Sequence, residues 1–119
     1  MSEERIQRGL DVIQGYMGQN GEHAVKQMQE LNGDFATLII ELFGDFYSRE
    51  ILDNKQKVLV TLSSLIALGA WDQLTLHALN AKHQGYTATQ IYEVAIQSIP
   101  YVGIPQATNA LKTLKNILE

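Results

Sequence analysis

The chain has 119 residues, 45% of them apolar and 18% charged, a balance that fits a globular protein rather than a disordered one. Its formal net charge of −4 argues against nucleic acid as a partner, because phosphate binding needs a basic patch and here Lys and Arg are scattered singly. Cysteine is absent, which excludes a disulfide framework, a thiol nucleophile and a zinc–thiolate site.

In chain order, Ser2 is expected to cap a first helix, with Glu3 and Glu4 in the opening turn, where the helix dipole favours negative charge. Ile6, Leu10, Ile13 and Met17 follow at helical spacing, and Gly18-Gln19-Asn20-Gly21 breaks the pattern. A weaker helical segment, EHAVKQMQELNG, stops at Asn32-Gly33, with His23 at its start as an ordinary solvated histidine. Asp34 is expected to cap the next helix, DFATLIIELFGDFYS, whose broad apolar face carries Phe35, Leu38, Ile39, Leu42, Phe43 and Phe46. Gly44 costs about 1 kcal/mol relative to Ala inside a helix, so it points to close packing or a bend.

Asp53 with Gln56 reads as another helix start, resembling a capping box. The run after it, Val58–Ala70, has only Thr61, Ser63 and Ser64 as polar side chains, and a helix apolar all round is normally buried. A membrane span needs about 20 such residues, so this run is expected to be the central core helix, interrupted near Gly69. A further helix from about Ala70 to His83 ends at Gly85, a left-handed cap. Thr87 and Gln90 form a capping box that opens TQIYEVAIQSI. The stretch Pro100–Pro105 then punctuates the chain, and Pro105 suits the first turn of a last helix carrying Ala107, Leu111, Leu114 and Leu118.

No period-2 pattern and no internal repeat stands out. The expectation is one all-α domain over residues 1–119, a helical array of about six helices. Helix 34–48 and the run 58–70 have more apolar face than one such domain can hide, which predicts a homo-oligomer. The charged N-terminus, MSEERIQRG, lacks the apolar stretch of a secretory signal, so the expected location is cytoplasmic, with no membrane partner.

Motifs for phosphate loops, nucleophile elbows and metal sites are absent. His77 and His83 are six apart, on roughly opposite sides of a helix, so no metal site is expected. The ionisable residues adjoining the most apolar segments are Asp45, Arg49, Lys57 and His77. An acid and a histidine against an apolar wall would have their pKa values moved toward neutrality, as acid–base catalysis requires, while Arg49 and Lys57 would hold a carboxylate. The competing reading makes His77 a core residue and Asp45/Arg49 an i,i+4 ion pair on one helix face.

From Phe43 to Ala107, and more weakly at the N-terminus through Arg5, Gly9-Leu10 and the Gly18 region, so over nearly the whole chain, the sequence resembles the carboxymuconolactone decarboxylase family. The resemblance is carried by Gly44-Asp45 with its aromatic pair, Ser48-Arg49, the LVTL run after Lys57, Ala67-Leu68-Gly69 and Leu76-His77. It continues after Gly85 with a Thr-led helix bearing Glu93 and ending in Tyr101-x-Gly103-x-Pro105. It implies an all-helical alkyl hydroperoxidase D-like fold, usually assembled as trimers or hexamers. It also implies a carboxy-lyase activity that removes CO2 from 4-carboxymuconolactone without a cofactor. His77 and Asp45 then stand at catalytic positions, and Arg49, Lys57 and Tyr101 at substrate-binding ones. A hypothetical mechanism has the basic residues fix the substrate carboxylates while His77 gives or takes the proton.

Departures from the family are also legible. The CxxC of the peroxidase branch falls at Ala70 and Gln73 and its glutamate at Val58, so thiol peroxidase chemistry is excluded for this chain. Arginines of the decarboxylase branch fall at Ala70 and Leu79, and the proline expected after Arg49 is Glu50. Trp71 suggests a reshaped site or simply packing. Two readings follow: an enzyme acting on a small carboxylated lactone or related acid, or a non-catalytic helical oligomer that binds a small apolar ligand. A His77 sealed in packing favours the second.

Overall fold

In the computed structural model, described over residues 2–119 apart from the side chain of Ser2, seven helices and no strand are found among the described residues. The chain is all-α. The capping role expected of the Ser2 side chain lies outside the described residues. The chain divides into two compact units, Met1–Asn54 and Lys55–Glu119.

The first unit holds α1 (Ser2–Met17), α2 (Gln19–Leu31) and α3 (Gly33–Tyr47). Its main packing is α1 against α3, and two glycines set the distance. A Cβ on Gly44 would lie 2.8 Å from the Gly9 Cα, and one on Gly9 would run into the Ile40 carbonyl. Gly44 therefore marks close packing in a helix that continues through it. Beside this crossing Tyr16 of α1, fully buried, meets Phe43 edge-on at 6.0 Å and Tyr47 at 4.6 Å, while Phe43 and Tyr47 stack at 4.1 Å. Such geometries contribute about 0.5–1.5 kcal/mol per pair beyond area burial. The cap of α3 is Asn32 rather than Asp34: its side chain accepts from the Phe35 N–H at 2.9 Å, leaving Asp34 as first-turn charge.

The second unit holds α4 (Asn54–Leu68), α5 (Trp71–His83), α6 (Ala88–Val102) and α7 (Ile104–Leu118), with α7 packed on both α5 and α6. Glycine ends both α4 and α5. At Gly69 (φ 69°) the Ala70 N–H reaches back to the Leu65 carbonyl, and at Gly85 (φ 97°) the Tyr86 N–H reaches back to Ala81, two Schellman closures that need positive φ. The Gln106 amide of α7 satisfies the last α4 carbonyls, at 3.0 Å to Ile66 and 3.3 Å to Ala67. The expected capping box is present in both directions: Thr87 accepts from the Gln90 N–H and the Gln90 side chain accepts from the Thr87 N–H.

Two expectations fail here. Pro100 does not end α6, which continues to Val102; the missing proline N–H removes one helical bond, which the helix tolerates two residues from its end. Nor is α4 buried all round. Val58, Leu62 and Ile66 form a single buried stripe, while Val60 and Leu68 are 56% and 77% exposed. Its apolar composition exceeds what one chain can cover. No helix among the described residues is long and apolar enough to cross a membrane.

Because the Gly9 Cβ position is filled by the α3 backbone, Gly9→Ala is expected to lose at least about 1–3 kcal/mol of stability. Gly15→Ala, on the same helix with open space at its Cβ, is expected to gain up to about 1 kcal/mol. Urea midpoints of the two variants check this. A loss in both, or in neither, removes the close-packing account of Gly9.

Candidate functional site

The residues singled out by sequence fall into the two units: Asp45 and Arg49 in the first, Lys57, His77 and Tyr101 in the second. Each has a local setting that decides what it can do.

Asp45, on α3 and about one-third exposed, faces two guanidinium groups of α1. Arg5 grips both carboxylate oxygens, at 2.6 Å to Oδ2 and 3.5 Å to Oδ1, and Arg8 donates to Oδ1. Arg5 also reaches Glu41, itself almost buried, at 3.1 Å. The Arg5 hydrogen bond above all, then that of Arg8 and the charges of both, hold the Asp45 carboxyl below its ordinary range, while the Arg5 guanidinium is raised by the same contact. The expected shift of Asp45 toward neutrality is thus reversed. The i,i+4 pair with Arg49 does not form either, because α3 ends at Tyr47 and Arg49 lies beyond its cap, exposed.

His77 sits at the centre of α5, whose inward face is Leu74, His77, Ala78 and Ala81. The spacing i, i+3, i+4, i+7 is that of a core-facing stripe, so the ring goes inside with it. His77 is 9% exposed. Burial penalises the cation and lowers the imidazole pKa from 6.5 to about 4, so the ring is neutral at pH 7. Here too the shift runs away from neutrality. Asn80, one turn on and completely buried, lies with Nδ2 3.2 Å from His77 Nδ1. With the amide donating, Nδ1 accepts and the ring proton is on Nε2. His83 faces solvent from the same helix, and no cluster of three or more His, Cys, Asp or Glu suited to a metal occurs among the described residues.

Lys57 lies in the first turn of α4, half-buried. Tyr101, 89% exposed, stands at the end of α6 on the rim of a groove of about 570 Å³ between α4 and α6. Leu59 and Ala67 form one wall of this groove, Val94 and Val102 the other, and Tyr86 closes one end with its hydroxyl donating to the Lys55 carbonyl at 2.9 Å. Glu93 is the charged residue of the lining; His77 and Trp71 do not take part in it. Trp71, half-buried, opens α5.

Sequence reasoning missed Arg5, Arg8 and Asn80. The first two meet Asp45 across about 40 residues of chain, a pairing without a local signal. Asn80 did have one: an amide three residues after the histidine, in a run of apolar and small residues.

The low imidazole pKa has a consequence for stability. Between about pH 6.5 and 4 the unfolded chain binds a proton that folded His77 refuses, so stability is full above pH 6.5 and falls as pH drops through that window. The expected loss attributable to this residue is about 3 kcal/mol, and His77→Gln should flatten the profile there. Asp45, with its lowered pKa, contributes stability that is lost only at more acidic pH. Denaturant unfolding across the window, with the variant alongside, checks the account; identical slopes would remove it.

Residues 34–116 match the model of the carboxymuconolactone decarboxylase family. The chain is 26% identical over 119 residues to a 4-carboxymuconolactone decarboxylase of Acinetobacter baylyi, covering 98% of this chain and 89% of that protein. It is 30% identical over 103 residues to the nitrosuccinic acid decarboxylase npaB of Metarhizium robertsii, covering 82% and 72% respectively. The match takes in α3 to α7, with Asp45, Arg49, Lys57, His77 and Tyr101 inside it, and so the chain belongs to the carboxymuconolactone decarboxylase family.

Proposed function

We propose that the protein is a carboxy-lyase for a small acid whose departing carboxylate lies next to an electron-accepting group. The observation that carries this reading is the match of residues 34–116 to a family in which both named relatives are decarboxylases; His77, neutral at pH 7, is taken as its histidine on the strength of the resemblance. The acids in those two names share a chemical trait: each contains its own acceptor, an unsaturated lactone in one and a nitro group in the other. The electron pair of the breaking C–CO2 bond moves into that acceptor, CO2 leaves, and the carbon skeleton then takes up one proton. Such a substrate supplies its own electron sink, so the reading needs no cofactor.

A neutral ring with its proton on Nε2 is suited to donate a hydrogen bond to the oxygen where negative charge develops. At neutral pH it acts in this reading as that donor, not as an imidazolium acid. Lys57, in the same unit as His77, is assigned to a substrate carboxylate. Asp45 enters as a permanent anion that organises Arg5 and Arg8. A homo-oligomer, trimeric or hexameric, working in the cytoplasm completes the proposal. In its support, Leu38, Phe46, Leu68 and Ile104 are each more than 60% exposed in the single chain.

A second reading is favoured by one observation: His77 is buried and does not line the α4–α6 groove. In that reading the protein binds a small apolar ligand there without turnover. Saturable binding of an apolar fluorescent probe, abolished by Ala67→Trp in the groove wall, is its expected signature.

The deciding experiment follows CO2 release from 4-carboxymuconolactone and from nitrosuccinate with the purified protein and His77→Ala. Turnover of either acid, reduced about 100-fold or more in the variant, is the expected result. No turnover of either by the wild-type protein would overturn the decarboxylase reading for these acids. Undiminished turnover in the variant would remove His77 from it.

A further inference from the structure

Asn80 is the polar side chain that the fold itself has least reason to keep. It is completely buried, its Nδ2 faces His77 Nδ1 at 3.2 Å, and its Oδ1 is buried without a hydrogen-bond partner among the described residues. An unsatisfied buried acceptor costs about 1–3 kcal/mol, so an apolar residue of similar size would serve packing better. Half of the amide is used, and it is used on the histidine.

We propose that Asn80 is a positioning residue: its amide N–H holds His77 in the tautomer that carries the proton on Nε2, which makes that nitrogen the donor of the ring. The i,i+3 spacing on α5 puts the amide over one edge of the ring, and the helix fixes both Cα atoms. A neutral imidazole in water exchanges between two tautomers; a donor at Nδ1 removes that freedom, because only the ring protonated on Nε2 can accept there. This deepens the reading of His77 as hydrogen-bond donor in the reaction and rests on it for its functional meaning, while the tautomer itself can be measured without substrate.

The test joins a spectroscopic readout to kinetics. Nitrogen-15 NMR of the imidazole of the wild-type protein, assigned with His77→Gln, is expected to show Nε2 protonated and Nδ1 bare at pH 7. Asn80→Asp, which presents only acceptors, is expected to move a proton onto Nδ1. Asn80→Leu is expected to leave Tm unchanged or raised, lose the tautomer preference and lower kcat on the order of 10- to 100-fold with KM little changed, a split that a merely structural role would not produce. A wild-type ring protonated on Nδ1 overturns the proposal, because the amide would then be accepting. So does an Asn80→Leu protein with unaltered tautomer, or one that loses Tm while kcat holds. If neither acid is turned over, the decarboxylase reading fails for those acids and the NMR result alone still decides whether Asn80 sets the tautomer.

Discussion

A histidine buried as a neutral imidazole is the constraint on which the second unit turns. The cost of placing a charge in an apolar interior is met here by leaving the ring uncharged. That choice narrows what the side chain can do at physiological pH to donating or accepting a hydrogen bond at fixed geometry. It also makes the surroundings of the ring matter more than its basicity. Small neighbours, Ala78 and Ala81, share the buried face of α5 with the histidine.

The ionised residues follow the opposite logic. Asp45, Arg5 and Arg8 meet at the surface of the first unit, where water screens them, and Arg5 reaches inward to the almost buried Glu41. Two arginines converging on one carboxylate have geometric value, since the fork of Arg5 fixes the register of α1 on α3 beside the crossing of Gly9 and Gly44. Charge is thus used to align helices in one unit, while in the other a polar group is buried in neutral form.

Much of the helical outline was legible from sequence because its signals are local. The capping box at Thr87, the positive-φ stops at Gly69 and Gly85 and the proline entry at Pro105 each act within a few residues of where they are read. Where two local signals compete, the reading slipped. Asn32 outcompeted Asp34 for the cap of α3, and Pro100 stood too near the end of α6 to stop it. The site was harder, because its decisive terms are non-local. Which arginines hold Asp45 depends on helix packing across the chain, and the depth of His77 depends on what covers α5. Apolar composition also misled in one respect: α4 reads as a core helix, yet a 119-residue chain buries only one of its faces.

The two glycine closures bracket α5 and give it a fixed length. Gly69 ends the helix before it and Gly85 ends α5 itself, each locked by a backbone bond that only a positive-φ residue makes easily. Successive residues on a helix are turned by about 100°, so inserting or deleting one between Trp71 and His77 would swing the ring from the interior to the flank of the helix. The loops around α5 can vary in length at little cost to its histidine. The interval from Gly69 to Gly85 cannot, and it works as a ruler that keeps the imidazole and its amide at one azimuth.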